Sequence, residues 1–119
     1  MKKIKNKSLE RLNHMLNSIH EIQTIINEKD EETITSNLLT QHAIYYKFIV
    51  IGEAIMQVDS EILNRYPYPW HEVKGLRNFI THEYHKISLP QIITIIQEDL
   101  PKLAVQLNKI VANEFGPPQ

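Results

Sequence analysis

Arg77, Asn78, Thr81, His82 and Tyr84 all fall within the eight-residue run Arg77-Asn78-Phe79-Ile80-Thr81-His82-Glu83-Tyr84. An arginine fork can clamp a phosphate and hold the charge that develops on phosphoryl oxygens during transfer. An imidazole that titrates near neutrality can take up and return the proton. Together they suffice to cut RNA, because the nucleophile, the ribose 2′-hydroxyl, is already in the substrate. The chemistry expected here is attack of that hydroxyl on the adjacent phosphorus, leaving a 2′,3′-cyclic phosphate end. His82 would serve as general acid or base, Arg77 would stabilise the phosphoryl charge, and Asn78 would orient His82 or the phosphate.

A helix from Trp70 to about His85 would carry this run. Projected at about 100° per residue, Tyr84, Arg77, Thr81, Lys74, His85, Asn78 and His82 share an arc of roughly 160°. Val73, Leu76, Phe79 and Ile80 take the other side, with Glu83 the one polar residue among them. Asn78 and His82 are four apart and can touch, as can Arg77 and Thr81. Thr81, Lys74 and His85 are expected to support substrate contacts. Arg77 and His82 lie about 140° apart on a regular helix, so one copy cannot easily aim both at one phosphate unless the helix end bends. A second copy related by a two-fold axis would complete the cleft, and a homodimer is expected.

Other chemistries are poorly served. His82-Glu83-Tyr84-His85 spaces its histidines by three, where the zinc motif H-E-x-x-H needs four, and no third ligand is placed; neither a metal nor a cofactor is expected. No phosphate-cradling G-x-x-x-x-G-K-[ST] loop is present. The 119 residues hold no cysteine, which suits a reducing cytoplasm, and the basic start Met1-Lys2-Lys3-Ile4-Lys5 leads into no apolar run. Nothing approaches a membrane span, so a cytoplasmic protein without membrane contact is expected. Net charge is −1, too little for a general nucleic-acid footprint. Locally, Arg65, Lys74, Arg77 and Lys86 outnumber Glu72 and Glu83, which suits a small RNA contact.

The elements that position the run follow from apolar spacing. Leu9, Leu12, Leu16, Ile19 and Ile26 mark an amphipathic helix from about Lys7 to Glu28. Glu31 to Leu38 suits a short helix. A densely apolar helix from about Thr35 to Val58 should be the most buried. Gly52 within it costs about 1 kcal/mol relative to alanine, which a close helix crossing would justify. Glu53 beside it fits an arginine partner better than a catalyst. Ser60 to Tyr66 is a short helix, followed by the stiff loop Tyr66-Pro67-Tyr68-Pro69-Trp70. Ser88 caps a last helix whose heptad runs Leu89, Ile93, Ile96, Leu100, Leu103, Leu107 and Ile110, and which Pro101 should kink or split. No period-two strand pattern appears.

The spacing R-x-x-x-x-H-x-Y resembles the signature of the HEPN superfamily, in particular HepT-type toxins of two-gene modules. The resemblance extends from Tyr45 to Leu103. It includes Ile51-Gly52-Glu53-Ala54, the Pro69-Trp70 pair before the motif helix, and Asp99-Leu100-Pro101. It implies an all-α fold: an antiparallel four- to five-helix up-and-down bundle over residues 1–115, homodimeric through its active cleft, with 116–119 a frayed tail. It implies a ribonuclease toxin of a type VII-like toxin–antitoxin module, acting on mRNA or tRNA. Arg77, His82 and Asn78 would be its catalytic residues. It also implies a minimal nucleotidyltransferase antitoxin that neutralises the toxin by transferring AMP to Tyr84. Phosphates added there would occupy the place of the RNA phosphate and repel its backbone. The alternative is a non-catalytic HEPN module that binds nucleotide or the nucleotidyltransferase partner.

Overall fold

Polar side chains that accept from a backbone amide open several of the helices. A computed structural model describes residues 2–116, without the side chains of residues 2–6 and Tyr84. Helix α1 spans Lys2–Glu28, starting earlier than the apolar stripe. Asp30 accepts from the Thr33 amide at 2.7 Å and opens α2, Glu31–Ser36. Asn37 then accepts from the Thr40 amide at 3.0 Å and opens α3, Leu38–Ile55. The expected start at Thr35 is therefore corrected. Thr35 and Ser36 close α2, because the Asn37 cap restarts the helix. Asp59 caps α4, Ser60–Asn64, and α5 is Trp70–His82.

Beyond α5 a 3-10 turn covers Tyr84–Lys86. The expected helix to His85 is corrected to one ending at His82. Glu83 leaves helical geometry at φ −110° and ψ 21°, and its carbonyl accepts from the Lys86 amide at 2.7 Å, which tightens the turn. Ser88 caps α6, Leu89–Thr94, followed by a π-helical turn, Ile95–Asp99, and α7, Leu100–Phe115. Proline 101 explains the widening. It has no N–H for an i−4 bond and its ring would strike that carbonyl. The π-turn absorbs the conflict, with the Leu100 amide bonded to the Ile95 carbonyl. Pro101 then sits in the first turn of α7, where it is tolerated. Gly116 ends α7 at φ 78°; residues 117–119 of the expected tail lie outside the described residues. No strand occurs among the described residues.

The four longer helices, α1, α3, α5 and α7, surround one core. Phe48, Ile51 and Ile55 of α3 meet Leu12, Met15, Ile19 and Ile22 of α1, Val73 and Ile80 of α5, and Leu100, Leu103, Leu107 and Ile110 of α7. Antiparallel order between α1 and α3 is marked by Lys47 with Glu21 at one end and Ser8 with Asp59 at the other. Helix α3 is less buried than its composition implies. Leu38, Leu39 and Tyr46 of α3, and Met56 at its C-cap, are all more than 60% exposed. A helix apolar all round has more hydrophobic surface than its neighbours in one bundle cover.

At the far end of α7, Glu114 accepts from the buried Tyr66 hydroxyl at 2.8 Å and pairs with Arg65. The Trp70 indole donates to the Leu63 and Tyr66 carbonyls at 3.2 and 2.9 Å. These bonds hold the proline loop, and so the start of α5, against α7. Burial, and then the bond to Glu114, raise the Tyr66 pKa above its ordinary value. The neutral phenol is therefore the form favoured by folding, and its contribution is complete below pH 10 and lost as pH climbs above it. Tyr66→Phe should lower unfolding free energy by about 1 kcal/mol and flatten the stability loss above pH 10. Urea melts at pH 7 and above pH 10 would measure both; an unchanged midpoint would contradict the clamp.

Candidate active site

Helix α5 forms because Val73, Leu76, Phe79 and Ile80 give it one apolar side, of which Val73 and Ile80 are fully buried. Lys74, Asn78, Thr81 and His82 are exposed on the other side, as their spacing predicts. The helix is continuous from Arg77 to His82, and it breaks only at Glu83. The two side chains therefore keep the divergence of a regular helix. His85 follows in the 3-10 turn, off the α-helical projection that grouped it with the others. The backbone of Tyr84 opens that turn; its side chain lies outside the described residues.

Arg77 is fixed from two directions. Its backbone meets α3 at Gly52, where a Cβ would fall 2.6 Å from the Arg77 nitrogen and 2.9 Å from its Cβ. Only glycine permits helices to approach this closely. Next along α3, Glu53 accepts from Arg77 Nε at 2.7 Å. Asn78 Oδ1 accepts from Arg77 Nη1 at 3.4 Å, and the Thr81 hydroxyl donates to the Arg77 backbone carbonyl at 2.9 Å. Asn78 thus bonds the arginine, and no hydrogen bond joins it to His82 among the described residues. Glu53, which composition alone marks as an arginine's partner, takes that role. It holds the Nε side of the fork; Nη1 also bonds Asn78, and Nη2 has no hydrogen bond among the described residues.

Both side chains of this ion pair are partly open to water, 43% for Arg77 and 53% for Glu53. The pair therefore contributes little to stability and acts on orientation. Glu53→Ala should lower kcat for RNA cleavage up to about fivefold, the rate equivalent of the ~1 kcal/mol upper range for an exposed pair. KM and melting temperature should hardly change, and Glu53→Gln, which still accepts from Nε, should restore most of the loss. An unchanged kcat in Glu53→Ala would remove Glu53 from the site.

The expected basic patch is weaker than its composition. Arg65 is paired with Glu114 and Arg77 with Glu53, and Lys74 and Lys86 have no ion pair among the described residues. Among those residues no three His, Asp or Glu side chains come together as metal ligands. No helix among them is long and apolar enough to cross a membrane.

The family model described as Ribonuclease HepT-like matches residues 15–110, which contain α3, α5 and every residue named above except those of the chain ends. The chain belongs to the HepT-like family. One relative, named "Gamma-glutamylcyclotransferase and putative RNase MJ0434", from Methanocaldococcus jannaschii, is 30% identical over 84% of this chain. This chain spans 46% of that relative's length. A second from the same organism, "Putative RNase MJ1380", is 28% identical over 75% of this chain and 83% of its own. A third, "Putative RNase TTE0752" from Caldanaerobacter subterraneus subsp. tengcongensis, is 28% identical over 71% of this chain and 75% of its own. No solved structure matches the HepT-like chain.

Proposed function

We propose that this HepT-like protein is a metal-independent ribonuclease whose cleft lies between two copies of the chain. The observation that carries the reading is the exposed α5 face, on which Arg77 is anchored by Gly52 and Glu53 while His82 stands free of other bonds among the described residues. The names of the relatives as RNases point the same way. Arg77 would hold the scissile phosphate through its outer nitrogens, and His82 would move the 2′-hydroxyl or leaving-group proton. Leu38 and Leu39 at the start of α3, 61% and 81% exposed, give an apolar row apart from the groove that Tyr46 lines. A second copy covering that row would bring its own Arg77 and His82 toward the same cleft. Lys74, Thr81 and His85 would support the substrate.

The reading extends to regulation. The antitoxin partner of such a module would be a nucleotidyltransferase, and AMP transferred to Tyr84 would place phosphates two residues beyond His82 and exclude RNA. The purified protein should cut a single-stranded RNA equally well with and without EDTA and leave 2′,3′-cyclic phosphate ends. It should elute at twice its 14.0 kDa chain mass. Loss of cutting in EDTA, or 3′-hydroxyl ends, would overturn the mechanism.

A further inference from the structure

A groove between α3 and α5 is not used by the proton and phosphate steps above. Its volume is about 340 Å³, and His42, Tyr45, Tyr46, Ile49, Ile80 and Thr81 line it. Isoleucines make part of it apolar, while Tyr46 is 64% exposed, an uncommon position for an aromatic ring that serves only packing. Thr81 stands one turn beyond Arg77, about 6 Å along the helix axis. Its hydroxyl hydrogen is committed to the Arg77 carbonyl, so its oxygen has only acceptor capacity left.

We infer that this groove receives one unpaired nucleobase of the RNA substrate, the base next to the phosphate held by Arg77, stacked on Tyr46. The inference rests on the ribonuclease reading. The ligand that fits must be flat and apolar at one end and anionic about one helical turn away, where Arg77 stands, with Lys74 a further turn beyond it. A nucleotide combines the two; an aliphatic side chain from a second copy would satisfy the isoleucines but bring no anion for the cations. Unpaired bases stack on exposed aromatic rings, and such stacking tolerates any base. Selectivity comes from Thr81: an acceptor favours bases with an exocyclic amino group, so adenine and cytosine should bind better than uracil.

The test uses the His82→Ala protein, which keeps the groove but should not consume RNA, and measures binding of hexanucleotides of A, C or U. Adding Tyr46→Ala should weaken binding of all three about tenfold, and Tyr46→Phe, which keeps the ring, should leave it unchanged. Thr81→Val should erase the preference for A and C over U. Tyr46 is exposed, so these changes should leave folding intact. Unchanged affinity in Tyr46→Ala would overturn the inference. So would a loss of affinity that appears only together with a halving of the particle mass, since Tyr46 would then belong to the contact between copies. Cleavage of the same hexanucleotides by the unmodified protein reports on the ribonuclease reading separately: its absence would sink that reading, while the binding series still decides whether the groove holds a base.

Discussion

Alanine at His82 should slow RNA cleavage by about 10²- to 10⁴-fold, the usual contribution of a positioned acid or base. Alanine at Arg77 should slow it by about 10²- to 10³-fold, the usual contribution of one group that stabilises transition-state charge. Neither substitution should unfold the protein. His82 is exposed, and the Arg77 side chain is nearly half exposed and bonded only to surface partners. Melting curves of both variants should therefore overlay that of the parent, which separates loss of chemistry from loss of structure. Mixing the two inactive variants tests the composite cleft. If one copy contributes the arginine and the other the histidine, a dimer of unlike variants holds one complete site, and activity should return. Failure of either variant to lose activity would remove that residue from the mechanism, and no recovery on mixing would place both groups of a site in one copy.

Alanine at Gly52 should damage stability and activity together. The added methyl would lie 2.6 Å from the Arg77 nitrogen and 3.2 Å from its Cα, both backbone atoms that cannot rotate away. Overpacking of this kind costs about 1–3 kcal/mol, set against a gain of up to ~1 kcal/mol in helix propensity. The net loss should lower the melting temperature by several degrees. Opening the α3–α5 crossing also shifts Arg77 relative to its phosphate, and a displacement near 1 Å is enough to reduce a rate about 10²-fold. Gly75 provides the control. Nothing lies within 4 Å of a Cβ built there, so Gly75→Ala gains propensity without a clash and should stabilise the protein by up to about 1 kcal/mol. A Gly52→Ala protein as stable and active as the parent would mean that the helices do not meet as closely as this.

The helical plan was legible because apolar spacing marks the buried side of α1, α5 and α7 residue by residue. Gly52 announced a close crossing, since nothing else repays a glycine inside a long helix, and Glu53 announced an arginine. The boundaries were harder to read where a cap intervenes: Asn37 breaks a periodicity that continues across it from Thr35. Glu83 likewise interrupts a polar arc that the wheel draws smoothly to His85. Spacing lets Asn78 reach His82 or a phosphate, and does not announce that its side chain accepts from the fork of Arg77. The exposed row of Leu39, Tyr46 and Met56 could not be read as surface, because apolar residues all round a helix look the same whether a protomer or a neighbour covers them. The tie from Glu114 to Tyr66 joins residues nearly fifty positions apart, and no local pattern announces such a contact.

Ser8 is bonded to the Asp59 amide at 3.0 Å, and Glu114 is bonded to Tyr66. The start of α1 and the end of α7 are thus both tethered to the stretch from Asp59 to Tyr66, at the foot of α5. His82 sits about 18 Å farther along that helix from Trp70. An affinity tag placed before Ser8 or after Glu114 therefore leaves from the foot of the bundle, away from the end of α5 that carries His82. Surface attachment for single-molecule or binding work is best made through the termini, leaving the α3 row untouched.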